Sequence, residues 1–167
     1  MELAAAKLFR AKWSDAVQNE WMSNLLENRS DLTKERLERT RDLMNKAVPD
    51  ASVSGYEDLI QGLTLPDPND RHVLAAAIAS ECDALVTFNQ KDFPTEYLAK
   101  FNIELLHPDD FVHYQFGFCT ASVVIAAQRC RARLKNPPVS AEAYIAALEA
   151  QGLPKTASEL GNYWTII

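Results

Sequence analysis

Between Trp13 and Leu106 the apolar positions alternate between helical and extended spacing, and each change of spacing predicts an element. Val17, Trp21 and Leu25 fall on one stripe, with Met22 and Leu26 beside it. That predicts a helix to about Leu26, opened by Ser14, a side chain suited to capping. Leu37, Leu43 and Met44 predict a second amphipathic helix over about 33–46, with those three towards the core. Val48 to Val53 reads as a short strand, residues 55–60 as a helical turn, and Leu63-Thr64-Leu65 as a second extended piece. Asp67-Pro68-Asn69-Asp70 then opens a helix to about Ser80, with Val73, Leu74, Ala77 and Ile78 as its buried stripe. Asp67 serves as its cap, and Pro68 sits where a missing N–H costs nothing. Ala84 to Thr87 predicts a buried strand, 94–100 a short helix, and Ile103 to Leu106 another strand. Helix, strand, helix, strand in this order implies parallel strands with right-handed crossovers, an α/β fold.

The flanks differ. Residues 1–9, rich in Ala and Leu, read as the end of a helix with no cap before it. Beyond His107 everything reads as helical, over about 109–115, 119–134, 140–151 and 156–162. Asn136-Pro137-Pro138 and Gly152-Leu153-Pro154 mark the breaks, and Ser140 caps the third of these helices.

Composition narrows the function. At 167 residues the chain has room for one α/β core and a modest appendage. Its start is a poor signal peptide, with Glu2 and a short apolar run, and no stretch is long enough to cross a bilayer. Those features predict a cytoplasmic protein. Cys82, Cys119 and Cys130 are scattered and lack C-x-x-C spacing, as are His72, His107 and His113, so a zinc site is not expected. The net charge of −6 argues against a protein that coats nucleic acid non-specifically. It leaves room for a nuclease, because a metal site is itself acidic, and it suits a basic protein partner.

Chemistry is expected at the carboxyl ends of the parallel strands. Asn89 and Asp92 follow the Ala84–Thr87 strand, and Asp70 opens the helix that precedes it. Three oxygen-bearing side chains from these places suit Mg2+ or Mn2+ with open coordination positions. Glu20, beside Trp21, edges the apolar stripe of its helix and is the fourth candidate. Each residue alone also has a plainer reading. Asp67 and Asp70 can be capping acids, Asp92 can cap the helix after Pro94, Asn89 can be a turn residue, and Glu20 a solvated helix charge. The combination carries more weight than any member.

The segments 70–77 (Asp70-Arg71-His72-Val73-Leu74-Ala75-Ala76-Ala77) and 85–94 (Leu85-Val86-Thr87-Phe88-Asn89-Gln90-Lys91-Asp92-Phe93-Pro94) resemble the PIN-domain family. They look closest to the VapC-like ribonuclease toxins of bacterial toxin–antitoxin pairs. Residues 13–21 resemble the segment that carries that family's helix glutamate, and residues 131–138 look like the helical extension of one toxin subgroup. The resemblance implies a PIN-like, Rossmann-like parallel sheet flanked by helices over residues 1–113, followed by an all-helical extension over 114–167. It implies a Mg2+- or Mn2+-dependent endoribonuclease of a type II toxin–antitoxin system, acting on RNA, bound by a cognate antitoxin and working as a homodimer. Glu20, Asp70 and Asp92 would be its catalytic acids, and Glu20, Asp70, Asn89 and Asp92 its metal ligands. Arg71, Lys91 or His72 could steady a phosphate.

Two departures from the family pattern temper this. Asn89 stands where an Asp is frequent, which keeps an oxygen but lowers the negative charge on the site. The family's usual first strand, which ends in an Asp and lies mid-sheet, has no counterpart before the first helix, so the α/β domain is expected to lack it and its carboxylate. The competing expectation is therefore a catalytically silent PIN-like protein that acts by binding an antitoxin or another protein.

Overall fold

Why a helix starts where it does is answered at four places by one side chain each. In the computed structural model, which describes residues 1–167, the Ser14 hydroxyl accepts from the Val17 amide and opens α2, Asp15–Asn28, and the Thr33 hydroxyl accepts from the Arg36 amide and opens α3, Lys34–Ala47. Ser140 accepts from the Ala143 amide ahead of α8, Ala141–Ala150. Asp67 accepts from the Asn69 amide at 2.8 Å and starts a single 3-10 turn, Pro68–Asp70, which runs into α5, Arg71–Ala79. Each cap supplies an acceptor to an amide that has no partner inside the helix.

The remaining elements are short. Ahead of α2 lie α1, Glu2–Ala5, and β1, Trp13–Ser14; between α3 and α5 lie β2, Ser52–Val53, and α4, Glu57–Ile60. After α5 come β3, Ala84–Val86, α6, Thr95–Leu98, and β4, Glu104–Leu106. The strands form two separate two-stranded sheets, β1 with β2 and β3 with β4. In the first, Trp13 pairs with Ser52 and Ser14 with Val53 in parallel. In the second, the Glu104 amide donates to the Asp83 carbonyl and the Thr87 amide to the Leu106 carbonyl, so both strands run the same way. The parallel strands of the expected fold are present, spread over two ladders.

The chain groups into two compact units. One comprises residues 10–85 and 89–105, the other residues 1–9, 86–88 and 106–167. The first unit is built on Leu74 and Leu98, both fully buried, with Leu63, Leu65, Leu85, Phe93 and Ile103 around them. The second holds α7, Pro108–Ala132, α8 and α9, Pro154–Gly161, around Phe116, Val123, Val124 and Leu160.

Several local expectations need correcting. The N-terminal helix stops at Ala5, and Lys7 takes φ +58, so no helix reaches Phe9. Leu63 and Leu65, expected as an extended piece, are buried but pair with no strand. The 48–53 strand is reduced to two residues by a 3-10 turn at Pro49–Ala51. On α3, Leu43 is 59% exposed while Leu37 is buried. On α2, the buried stripe is Ser14, Gln18 and Met22, one step round from Val17, Trp21 and Leu25. Gln18, a polar residue in that stripe, accepts the Trp21 indole N–H at 2.7 Å, which lets the indole stay partly buried. By contrast, the two helices expected at 109–115 and 119–134 are both present within α7, meeting at Cys119, whose φ of −158° and ψ of 82° are non-helical.

Asp109 does something no local pattern shows. It is buried, and its two carboxylate oxygens accept the Lys155 and Thr156 amides, each at 2.8 Å, at the first turn of α9. It thus caps a helix 46 residues away, where α9 has no cap of its own. Burial alone would raise the Asp109 carboxyl, but the Thr156 and Lys155 amides outweigh it and hold it below its ordinary value of 3.8. A depressed carboxyl adds stability that is present above the unfolded value and lost as pH falls through the folded one. Asp109→Ala should therefore cost about 2 kcal/mol or more at pH 7, since buried amides lose their acceptor. Chemical denaturation at pH 7 and at pH 3 should show that the gap between wild type and variant narrows at the lower pH.

Candidate functional site

Three segments of the first unit carry the four candidate residues. Asp70 ends the 3-10 turn that Asp67 and Pro68 set up, so its position follows from a cap and a fixed proline φ. Asn89 and Asp92 lie on the turn after β3, where a second 3-10 turn, Gln90–Asp92, tightens the chain before Phe93 is buried. Glu20 projects from the middle of α2, half exposed.

These residues come together. Asn89 Nδ2 donates to Asp70 Oδ2 at 3.2 Å, joining the turn after β3 to the start of α5 across 19 residues. His72, on the first turn of α5, places Nε2 3.4 Å from Glu20 Oε2, a contact that is an ion pair only when the imidazole is protonated. Asp92 is largely covered, and Lys91 Nζ lies 3.9 Å from its Oδ2. Partial burial raises the Asp70 carboxyl above its ordinary value, and the charges of Asp67, Asp92 and Glu20 push it further, with His72 acting the other way. Three carboxylates are therefore close enough to act on a fourth.

Asp67 is the member sequence reasoning left out of the site. Its capping role is real, but its charge also falls on Asp70. The sequence signal was its place three residues before Asp70, which a cap alone already explained. The Glu20–His72 contact was likewise not foreseen, because α2 and α5 are distant in sequence.

The fit to a divalent cation is mixed. The donors are oxygens, and their uncompensated repulsion at Asp70 is the condition a hard cation relieves. Yet no three His, Cys, Asp or Glu side chains are arranged so that they could hold one metal ion. Asn89 meets Asp70 through its amide nitrogen, so here it braces a carboxylate by hydrogen bonding. Around the acids, Arg71 Nε and His72 Nδ1 are buried without a protein partner, and Lys91 is largely exposed.

Comparison with known proteins gives two family matches and one curated relative. Residues 1–91 match the family model described as PIN domain, and residues 108–162 match the one described as VapC50 C-terminal domain. A protein of Mycobacterium tuberculosis (strain ATCC 25618 / H37Rv) named "Putative ribonuclease VapC50" is 47% identical over 58 residues. That alignment spans 35% of this chain and 34% of the relative, about a third of each. No solved structure matches. No helix is long and apolar enough to cross a membrane.

The raised Asp70 carboxyl has a measurable consequence. A carboxyl whose folded value is raised favours the fold only when protonated, so at neutral pH its charge works against folding. Asp70→Asn keeps an acceptor for Asn89 while removing the charge. Its melting temperature at pH 7 should exceed that of the wild type, and the advantage should vanish as pH falls below 3.8, where the unfolded carboxyl is also protonated. A variant no more stable than wild type at pH 7 would mean that the repulsion is already relieved.

Proposed function

Because the chain belongs to the PIN-domain family, whose model covers its first 91 residues, we propose that it is a Mg2+- or Mn2+-dependent endoribonuclease, the toxin of a type II toxin–antitoxin pair. Its partners in this reading are an RNA substrate, a cognate antitoxin and a second copy of the chain. The observation that carries it is the contact of Asn89 with Asp70, which joins two of the candidate residues at a carboxylate on which the charges of Asp67, Asp92 and Glu20 also act.

Asp70 would be the centre of a cation site, with Asp92 and Glu20 drawn towards it on binding, since no three of these side chains are arranged to hold one metal ion as they stand. The Asn89 amide, in contact with Asp70, can stay a donor to that carboxylate or turn over to offer its oxygen. A bound divalent ion would lower the pKa of a water molecule and offset the charge of the scissile phosphate. That offset matters here, because the net charge of −6 opposes the approach of a polyanion unless cations intervene. Arg71 and Lys91, next to Asp70 and Asp92 in sequence, would steady non-bridging phosphate oxygens in this reading. His72, within reach of Glu20, can fix the orientation of that carboxylate.

A second reading, a catalytically silent PIN-like protein that works by binding a partner, is favoured by one observation. No three potential ligands are arranged to hold a single metal ion, and the amide nitrogen of Asn89 faces Asp70.

Cleavage of a fluorophore–quencher RNA pool separates the two. The nuclease reading expects cleavage with Mg2+ or Mn2+, its loss in EDTA, and a fall of about 100-fold or more for Asp70→Asn or Asp92→Asn, since metal catalysis supplies several kcal/mol. Absence of cleavage, with no saturable Mg2+ binding by calorimetry, would leave the silent reading.

A further inference from the structure

Two helix ends in the first unit close in the same way and line one hollow. After α5, the Glu81 amide donates to the Ile78 carbonyl at 3.1 Å and the Cys82 amide to the Ala77 carbonyl at 2.9 Å, with Glu81 left-handed at φ +51. After α6 and the 3-10 turn that follows it, Ala99–Phe101, the Asn102 amide donates to the Ala99 carbonyl at 3.1 Å and the Ile103 amide to the Leu98 carbonyl at 3.2 Å. Asn102 is left-handed as well, at φ +58. Glycine is the usual residue at this point of a helix end. A glutamate and an asparagine stand here instead. The Glu104 amide, bonded to the Asp83 carbonyl at 2.9 Å, holds the two turns side by side. The hollow has a volume of about 310 Å³, at the lower end of small-molecule sites. Its buried and half-buried lining is Ala77, Ile78, Phe101 and Ile103, and its exposed lining is Glu81, Asp83 and Asn102.

The charge around this hollow has one sign. Residues 1–9, 86–88 and 106–167 hold six acids and six bases, so that second unit is neutral and the whole −6 lies on the first. Glu81 and Asp83 place two carboxylates just past the end of α5 where the helix dipole is already negative, the end that favours cations. No basic residue stands in the last turn of α5 to offset them. Neither carboxylate takes part in an ion pair of the chain. Lys100, next to Phe101 in sequence, has its ammonium over the Tyr97 ring, 5.1 Å from the centroid. Apolar lining below and unpaired negative charge above together describe a ligand with a hydrocarbon body and a cationic head.

We propose that this hollow binds a small organic ammonium ion, with a short alkyl diamine as its simplest form. The methylene groups cover Ala77, Ile78 and Ile103, removing apolar surface from water on both sides. The ammonium groups meet the Glu81 and Asp83 carboxylates and the Asn102 side-chain oxygen, and the Phe101 ring adds the attraction of an aromatic face for a cation. A bare metal ion fits less well. A hard cation asks for about six oxygen ligands, would leave the apolar lining uncovered, and finds no three acidic, His or Cys side chains arranged to hold it. The nine residues of α5 put the hollow about 14 Å along the helix from Asp70, so the proposal is independent of the nuclease reading.

Heteronuclear NMR on the isotope-labelled full chain, at pH 7 and constant ionic strength, tests it. Butane-1,4-diamine should shift the amides of residues 78–83 and 101–104 saturably and leave those of α8 and α9 in place. Butane-1,4-diol, which has the same carbon chain without the charge, should move none of them. Asp83→Asn should weaken diamine binding about fivefold, the upper value for one exposed ion pair. Glu81→Gly should weaken it as much while melting no lower than wild type, because glycine takes the left-handed turn without strain. Loss of ligand is thereby read apart from loss of fold. No saturable shift at these amides, equal shifts with the diol or with Mg2+, or unchanged affinity in both variants would each overturn the proposal. Tighter binding of a blocked lysine, with its backbone amides intact, would assign the hollow to a side chain of another protein and overturn the free amine as its ligand.

Discussion

Like charges brought within reach of one carboxylate are the constraint around which the first unit is arranged. Coulomb repulsion between acids a few ångströms apart is worth about 1 kcal/mol even in water and more where burial lowers the effective dielectric. The chain nevertheless keeps Glu20, Asp67 and Asp92 near enough for their charges to act on Asp70. It can do so because the backbone fixes each one for another reason. Asp67 is needed as a cap, Pro68 sets the turn that carries Asp70, and the burial of Phe93 pins the turn that carries Asp92. The core formed by Leu74, Leu85 and Phe93 supplies the free energy that keeps the acids close.

That cost falls on one unit only. The neutral unit is organised by the opposite means, with a single buried acid, Asp109, fully satisfied by two backbone amides. There a carboxylate stabilises the structure that surrounds it; at Asp70 the surroundings hold the carboxylate in a field that opposes its charge. One chain thus contains both outcomes of burying an acid, and the number of N–H groups facing the oxygens decides which is realised. Lys155 reinforces the stabilising case, since its ammonium also pairs with Asp110 beside the cap.

How much of this was legible in the sequence depends on the range of the interaction. Ser14, Thr33, Asp67 and Ser140 cap within three residues, so the local pattern was enough to place four helix starts. The meeting of Asp70 with the residues after β3 was also readable, because parallel strands gather their following turns at one end. Gln18 was not, since a polar residue on a buried stripe looks like a surface position until its indole partner is seen. Nor was Asp109, whose partners lie 46 and 47 residues on. Strand pairing is likewise non-local, and no count of apolar residues distinguishes one four-stranded sheet from two ladders of two.

Asn89 shows why residue identity at the site matters more than residue position. An Asp there would have added a further negative charge directly against Asp70, and the turn after β3 would then lean away unless a cation stood between them. An Asn reverses the sign of the local interaction, because its N–H group donates to the Asp70 carboxylate at 3.2 Å. The turn after β3 and the start of α5 are therefore held together by the protein itself. The same bond competes with any cation for the Asp70 oxygen, so the substitution trades affinity for metal against a site that is already assembled. A protein built this way keeps the shape of its acidic centre through its own hydrogen bond, while the remaining lone pairs of the Asp70 carboxylate stay open to an ion.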